Sequence, residues 1–310
     1  MGDKVLVTGS AGFIGSNLAE ALCKKDYNVL GIDCFTDYYP RKLKEQNLSN
    51  LKSEKNFEFL ETNLVDCDIS KLLDGVSTIY HEAAQPGVRY SWDHVQVYID
   101  NNIIATQRLL EAARKNKQKI VFASSSSVYG DVKELPVKES TELNPISPYG
   151  VTKVTCEDLL KIYNEAHGIP SAILRYFTVY GPRQRPDMAI NIFSNKIMNG
   201  EAFELYGDGS QSRDFTYVDD IVAGTISAGE SSKEFETYNI GGGSTITVKG
   251  LIDKIGEIVG KEPNYKCVGE QKGDVKHTHA DITKAKNDLG YSPKTKTAEG
   301  LQNYINFIKG

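Results

Sequence analysis

Residues 4–15 read KVLVTGSAGFIG: a short apolar run, then Gly9, Gly12 and Gly15 in a GxxGxxG pattern that opens a helical stretch from Phe13 to Lys25. This strand, turn and helix decide the fold. Without a Cβ, the glycines permit a tight turn, close approach of backbone N–H groups to a pyrophosphate, and close packing of helix on strand. A glycine triad alone is weak evidence, because such turns also arise for purely structural reasons, so its context has to carry the reading. The next β-rich run, NVLGID at 28–33, ends in Asp33, 18 residues after Gly15. An acidic group there accepts hydrogen bonds from the adenosine ribose and repels a 2′-phosphate, which favours NAD over NADP. A solvated surface aspartate is the bland alternative. Asn63, closing the third strand, is placed to meet an adenine edge, with a plain turn residue as the competing reading.

Outward from this passage, β-rich runs alternate with helical ones: FEFLET (57–62), TIYHEA (78–83), KIVFASS (119–125) and SAILRYF (171–177). That rhythm implies βαβ units, hence an α/β fold with a Rossmann-type doubly wound parallel sheet. Apolar spacing predicts helices over 94–115 (Val97, Ile104, Leu109, Leu110, Ala113) and 149–166 (Val151, Leu159, Leu160, Tyr163), either as core packing or as an oligomer seam. After residue 180 the texture changes to Pro, Arg and Gly with shorter strands. The expected division is a dinucleotide-binding domain over 1–180 and a smaller α/β domain over 181–310.

The 310 residues, 40% hydrophobic and 25% charged, are enough to bury a sizeable core without cross-links. A formal charge of −5 and no dense Lys/Arg cluster argue against nucleic acid as a partner. Five scattered cysteines without a CxxC pair fit reduced thiols in the cytoplasm. No leader pattern and no apolar run approaching ~18 residues is visible, so neither secretion nor membrane insertion is expected.

Tyr149 and Lys153 form a YxxxK pair at the start of a helix introduced by Ser147 and Pro148, a suitable N-cap and first-turn proline. Four residues apart, the two side chains share a helical face. A free tyrosine is a poor base at neutral pH, and a neighbouring ammonium favours a phenolate. A surface tyrosine with a lysine at i+4 is the chance alternative. Against it stands KIVFASSSSVYG (119–130), whose serines close a strand at the carboxyl edge, where open α/β sheets bind ligands.

GSAGFIG (9–15), HEAA (81–84), DNN (100–102), SSSSVYG (124–130), SPYGVTK (147–153), RYFTVYGP (175–182) and RDFTYVDD (213–220) span nearly the whole chain. Together they resemble the extended short-chain dehydrogenase/reductase family, specifically its nucleotide-sugar 4-epimerases. The resemblance implies Tyr149 as acid/base, Lys153 as holder of the cofactor ribose, and Ser125 as the hydroxyl that bonds the sugar O4. Ser124 and Ser126 are the alternatives one position away. It also implies NAD contacts at Phe13, Ile14, Leu64, Ala83, Ala84, Asn102 and Tyr176 beside those already read, and a homodimer seamed by the two long helices.

Dehydratases of this family typically carry a carboxylic acid and a carboxylate directly after the catalytic Ser or Thr, and here Ser126 and Ser127 stand there. Hydroxyls cannot readily supply that acid/base pair. The economical reaction is oxidation at C4 and return of the same hydride to the other face of a 4-keto sugar. The rivals are a nucleotide-sugar reductase, which consumes NADH, and a noncatalytic NAD-sensing module.

The segment TVYGPRQRPDMA (178–189) is similar to that of UDP-glucuronate 4-epimerases, with Thr178 where UDP-galactose epimerases carry Asn. Ser126, Ser127 and Thr178 suit a C5 carboxylate, with Arg185 close in sequence. By the same resemblance Arg213 and Asn191 belong to the diphosphate end, and Asp274 to the substrate site. Gln271 stands where a second diphosphate Arg is common, and Thr278 where a bulky Tyr limits the sugar pocket. The small Thr278 makes UDP-N-acetylglucosamine, or UDP-glucose, the rival substrate. His277 and His279 alternate in an expected strand and read as structural, with no metal site.

Overall fold

Val5, Leu6 and Val7 are fully buried in the strand β1 (Lys4–Thr8), Val5 and Val7 facing one core cluster and Leu6 the other. A strand alternates its side chains, so an unbroken apolar run implies a sheet covered on both faces. The structure is a computed structural model and describes residues 2–269 and 275–310. Its central sheet adds β2 (Asn28–Asp33), β3 (Phe57–Glu61), β4 (Val76–His81), β5 (Lys119–Ser125), β6 (Ser171–Tyr176) and β7 (Phe235–Ile240). All seven strands pair in parallel, in the order β7-β6-β5-β4-β1-β2-β3. The winding direction reverses between β1 and β4, the position where doubly wound sheets open a crevice at their carboxyl ends.

Helices α1 (Phe13–Lys24) and α4 (Val218–Glu230) cover one face through Leu18, Leu22, Ile221 and Ile226. Helices α2 (Ala105–Ala113) and α3 (Pro148–His167) cover the other through Leu109, Leu110, Cys156 and Leu160. The Ser147 hydroxyl caps α3 by accepting from the Gly150 N–H at 3.1 Å, and Gly168 ends it at φ +65°.

The helix expected over 94–115 runs unbroken from Val95 to Ala113, with a π-helical turn at Ile99–Ile104 between Val95–Tyr98 and α2. Apolar spacing does not register that turn. Within it Asn102 is buried, accepting from the Gln85 N–H at 2.7 Å and donating to the Thr152 hydroxyl at 3.0 Å. Asn101 instead faces the crevice. A widened turn of this kind recurs where a helix serves a site.

Beyond residue 180 a separate core gathers Ile190, Phe193, Leu205, Leu251, Ile255 and Leu301. Its strands are short: Phe203–Tyr206 pairs with Tyr265–Val268, and Ser212–Arg213 with Ile246–Thr247. The chain also returns to the central sheet, where β7 pairs with β6 and α4 packs on α1. Residues beyond 180 thus supply a strand and a helix to the central sheet as well as their own core. His277 makes an isolated bridge to Ser212 rather than a strand, with its Nδ1 2.8 Å from the Ser212 hydroxyl. Among the described residues no helix is long and apolar enough to cross a membrane.

Candidate active site

Gly9 turns at φ +70°, and a Cβ there would lie 2.8 Å from the Ala83 nitrogen; one on Gly15 would lie 2.2 Å from the Gly9 carbonyl oxygen. The turn can thus pass against the end of β4 and carry α1 close above it only with glycine at these positions. No side chain caps the start of α1 and no acidic residue stands in its first turn, which leaves its N–H groups to an anion. Gly9, Gly12, Phe13, Ile14 and Gly15 line one end of a cavity of about 410 Å³ at the carboxyl ends of the strands.

Asp33, Asn63, Leu64, Ala83 and Ala84 line the same cavity. The Asp33 carboxylate accepts from the Ala11 N–H at 3.1 Å and the Phe35 N–H at 2.8 Å. Burial pushes its pKa up, while these N–H groups and the Lys44 ammonium favour the charged form. Lys44 also lines the cavity and donates to the Thr36 carbonyl at 2.6 Å. It stands 11 residues beyond Asp33 in a polar stretch, where no spacing rule singles it out. Asn63 Oδ1 accepts from the Val65 N–H at 3.0 Å, so the side chain shapes a turn as well as lining the site. Asn102 does not line it; its amide is committed to the packing described above, and Asn101 is the neighbour that does.

At the other end stand Ser125, Tyr149 and Lys153. Tyr149 leaves the first turn of α3 and meets the Tyr98 ring edge-on, with centroids 6.1 Å apart. Lys153, one turn later and 2% exposed, donates to the Ala123 carbonyl at 2.7 Å and lies 4.7 Å from the centre of the Phe122 ring. The Ser125 hydroxyl accepts from the Ser127 N–H and donates to the Ser127 hydroxyl, both at 3.1 Å. Ser124 differs: its hydroxyl is donated to Glu157, which is paired with Arg175 in a buried network. That commitment separates Ser124 from Ser125, a distinction the run of four serines does not reveal.

Ser126, Ser127, Thr178 and Arg185 line this end too. Arg185 is held by Asp187 through Nε at 2.9 Å and Nη2 at 3.0 Å, and Asp187 also accepts from the Tyr38 hydroxyl at 2.9 Å. Tyr176 lines the cavity and donates to Glu82 at 2.8 Å. Glu82, inside the HEAA motif, is a lining carboxylate that the motif reading passed over in favour of the alanines.

Asn191 and Arg213, expected at the diphosphate end, and Thr278, expected at the sugar pocket, do not line this cavity. Asn191 donates to the Tyr304 hydroxyl at 2.7 Å, Arg213 to the Ser212 and Lys276 carbonyls at 3.0 Å, and Thr278 accepts from the Asp214 N–H at 3.2 Å. Gln271 and Asp274 lie outside the described residues.

A crevice at the carboxyl ends of the strands, lined by a glycine turn at one end and by Ser125, Tyr149 and Lys153 at the other, defines a short-chain dehydrogenase-type enzyme. A family model described as GDP-mannose 4,6 dehydratase matches residues 6–304, and the chain belongs to that family, in the extended short-chain dehydrogenase/reductase group. It is 48% identical over 309 residues to YtcB of Bacillus subtilis, described as an uncharacterized UDP-glucose epimerase, covering 98% of each chain. It is 39% identical to a UDP-glucuronate 4-epimerase of Thermodesulfobacterium geofontis, over 98% of this chain and 95% of the relative. The crystal structure of UDP-glucuronic acid 4-epimerase from Bacillus cereus, in complex with UDP-glucuronic acid and NAD, superposes with TM-score 0.96 at 44% identity, covering 99% of each chain.

Proposed function

We propose that the chain is an NAD-dependent UDP-sugar 4-epimerase, with UDP-glucuronate and UDP-galacturonate as the favoured pair. The observation that carries this reading is one cavity holding the glycine turn and Asp33 at one end and Ser125, Tyr149 and Lys153 at the other. Gly9 and Gly15 let the turn pack against the end of β4 and the start of α1, where a Cβ would strike backbone, and Asp33 presents its carboxylate where a ribose would sit. When bound, NAD supplies the acceptor and then the donor of a hydride. Tyr149 takes the O4 proton and returns it, while Ser125 bonds O4. Lys153, tied to β5, holds the helix that carries Tyr149 against the strand that carries Ser125.

Although the family model is named for a dehydratase, Ser126 and Ser127 lack the acid and carboxylate that removal of water needs. These hydroxyls, with Thr178 and the nearby Arg185, support a uronate as substrate. The rival reading from a small Thr278 is weaker, since that hydroxyl serves the Asp214 backbone and does not line the cavity.

Incubation with UDP-glucuronate, UDP-glucose and UDP-N-acetylglucosamine without added NADH tests the reading. Formation of the C4 epimer of the uronate is the expected result. Product that forms only when NADH is supplied, and in proportion to the NADH consumed, would establish a reductase instead.

The homodimer belongs to the same proposal. Val151 and Ile162 on α3, 50% and 57% exposed, and Ile104 at the end of the π turn are exposed apolar residues on the two helices expected to form the seam. A monomeric mass at micromolar concentration would reject it. All five cysteines are free, which supports a cytoplasmic setting.

A further inference from the structure

Two carboxylates line the cavity among the described residues, and the reaction proposed above uses only Asp33. The second, Glu82, follows the last residue of β4. Its carboxylate is held by the Tyr176 hydroxyl of β6, reaching past the end of β5, where Ala123, Ser124 and Ser125 stand. It therefore lies in the catalytic half of the cavity, whereas Asp33 ends β2 on the far side of β1. The hydride leaves the carbon whose hydroxyl Tyr149 deprotonates, so the redox end of the dinucleotide belongs to the half that holds Glu82.

The hydroxyls behind Glu82 accommodate either of its protonation states. Tyr176 is 2.7 Å from the Thr225 hydroxyl, with either atom able to donate, and Thr225 donates to the Ile221 carbonyl at 2.8 Å. With Glu82 ionised, Tyr176 donates to the carboxylate. With Glu82 protonated, the acid donates to Tyr176, Tyr176 to Thr225, and Thr225 to Ile221, so no buried hydroxyl loses a partner.

We infer that Glu82 is a charge-matching residue for the cofactor: as a carboxylate it favours the cationic, oxidised nicotinamide over the neutral, reduced one, and as a neutral acid it loses that preference. The inference rests on NAD as the cofactor. Burial pushes the Glu82 carboxyl up to about 7, opposed by the Tyr176 hydroxyl and the Lys153 ammonium. The switch thus falls in the neutral range. Three titratable neighbours keep their charge state there: burial holds Tyr176 well above its usual value, keeps His81 neutral by lowering it to about 3, and raises Tyr80.

The test is competitive retention. The purified enzyme is equilibrated with equal amounts of NAD⁺ and NADH and freed of unbound cofactor, and the released dinucleotides are separated and measured. Glu82→Gln is expected to lower the retained NAD⁺-to-NADH ratio on the order of tenfold, with Glu82→Asp keeping most of the wild-type ratio. In the wild type the ratio should rise between about pH 6 and about pH 8 and be flat in Glu82→Gln. Equal loss of both dinucleotides in Glu82→Gln would mean a structural role and overturn the inference. So would a wild-type ratio that does not move with pH, which needs no variant to fold. Retention of neither dinucleotide by the wild type would overturn the cofactor reading, and this inference with it.

Discussion

Lys153 on α3 donates its ammonium to the Ala123 carbonyl of β5 at 2.7 Å. This single bond ties the helix that bears Tyr149 to the strand that bears Ser125, two residues further along. Lys153→Ala should therefore disturb cofactor retention and chemistry together. A fall in kcat/KM of about 100-fold, with lower bound NAD, is expected from the misplacement of Tyr149 against Ser125. Unchanged NAD content and unchanged turnover would show that the bond is only structural.

Tyr149→Phe keeps the ring against Tyr98 and removes only the hydroxyl. Turnover should fall roughly 10²- to 10⁴-fold while retention of NAD and binding of UDP stay near wild type. Near-normal turnover would refute the assignment of the acid/base.

Asp33 and Lys44 act against each other at the ribose end of the cavity. Asp33→Ala should relax discrimination against NADP on the order of tenfold, as the opposing charge is removed and the ammonium remains. Adding Lys44→Ala should reverse part of that gain. Dissociation constants for NAD and NADP across the three proteins check both statements, and equal discrimination in all of them would place specificity elsewhere.

Thr178→Val is similar in shape without the hydroxyl. A hydrogen bond to a charged carboxylate contributes roughly 1.5–3 kcal/mol, so kcat/KM on UDP-glucuronate should fall by about 10- to 150-fold. UDP-glucose and UDP-N-acetylglucosamine should suffer less. Equal losses on all three would mean that Thr178 supports the pocket and does not read the carboxylate.

His81 is buried between the hydroxyls of Thr8 at 2.8 Å and Thr106 at 3.0 Å, and burial lowers its pKa from 6.5 to about 3. In the unfolded chain it protonates first, so its contribution to stability is full above about pH 6.5 and is lost as pH falls toward about 3. Glu82 acts in the opposite sense between its unfolded value of 4.5 and about 7, because there the folded state holds the extra proton. The two slopes oppose each other in the wild type, and a single pH curve understates both. Unfolding of wild type and His81→Asn should isolate the first: the deficit of the variant should shrink by roughly 1.6 kcal/mol from pH 6.5 to pH 5. A deficit constant with pH would mean that His81 titrates normally in the fold.

What the sequence determined by itself is what short-range geometry dictates. Gly9, Gly12 and Gly15 lie within one turn, Asp33 ends the very next strand, and Tyr149 and Lys153 are one helical turn apart, so local periodicity suffices to place them. The parallel sheet was legible for the same reason, as each βαβ unit is written in consecutive residues. The tertiary structure alone decided the rest, because it depends on partners far apart in the chain. Glu82 acquires its place through Tyr176, 94 positions later, and Ser124 is parted from Ser125 by Glu157. The π turn that buries Asn102 and leaves Asn101 to the cavity brings Asn102 to Gln85 and Thr152, and β7, from beyond residue 180, pairs with β6 at the edge of the sheet. Hydrophobic spacing records which face of an element is buried; which polar groups meet behind that face is determined only when the strands and helices are packed.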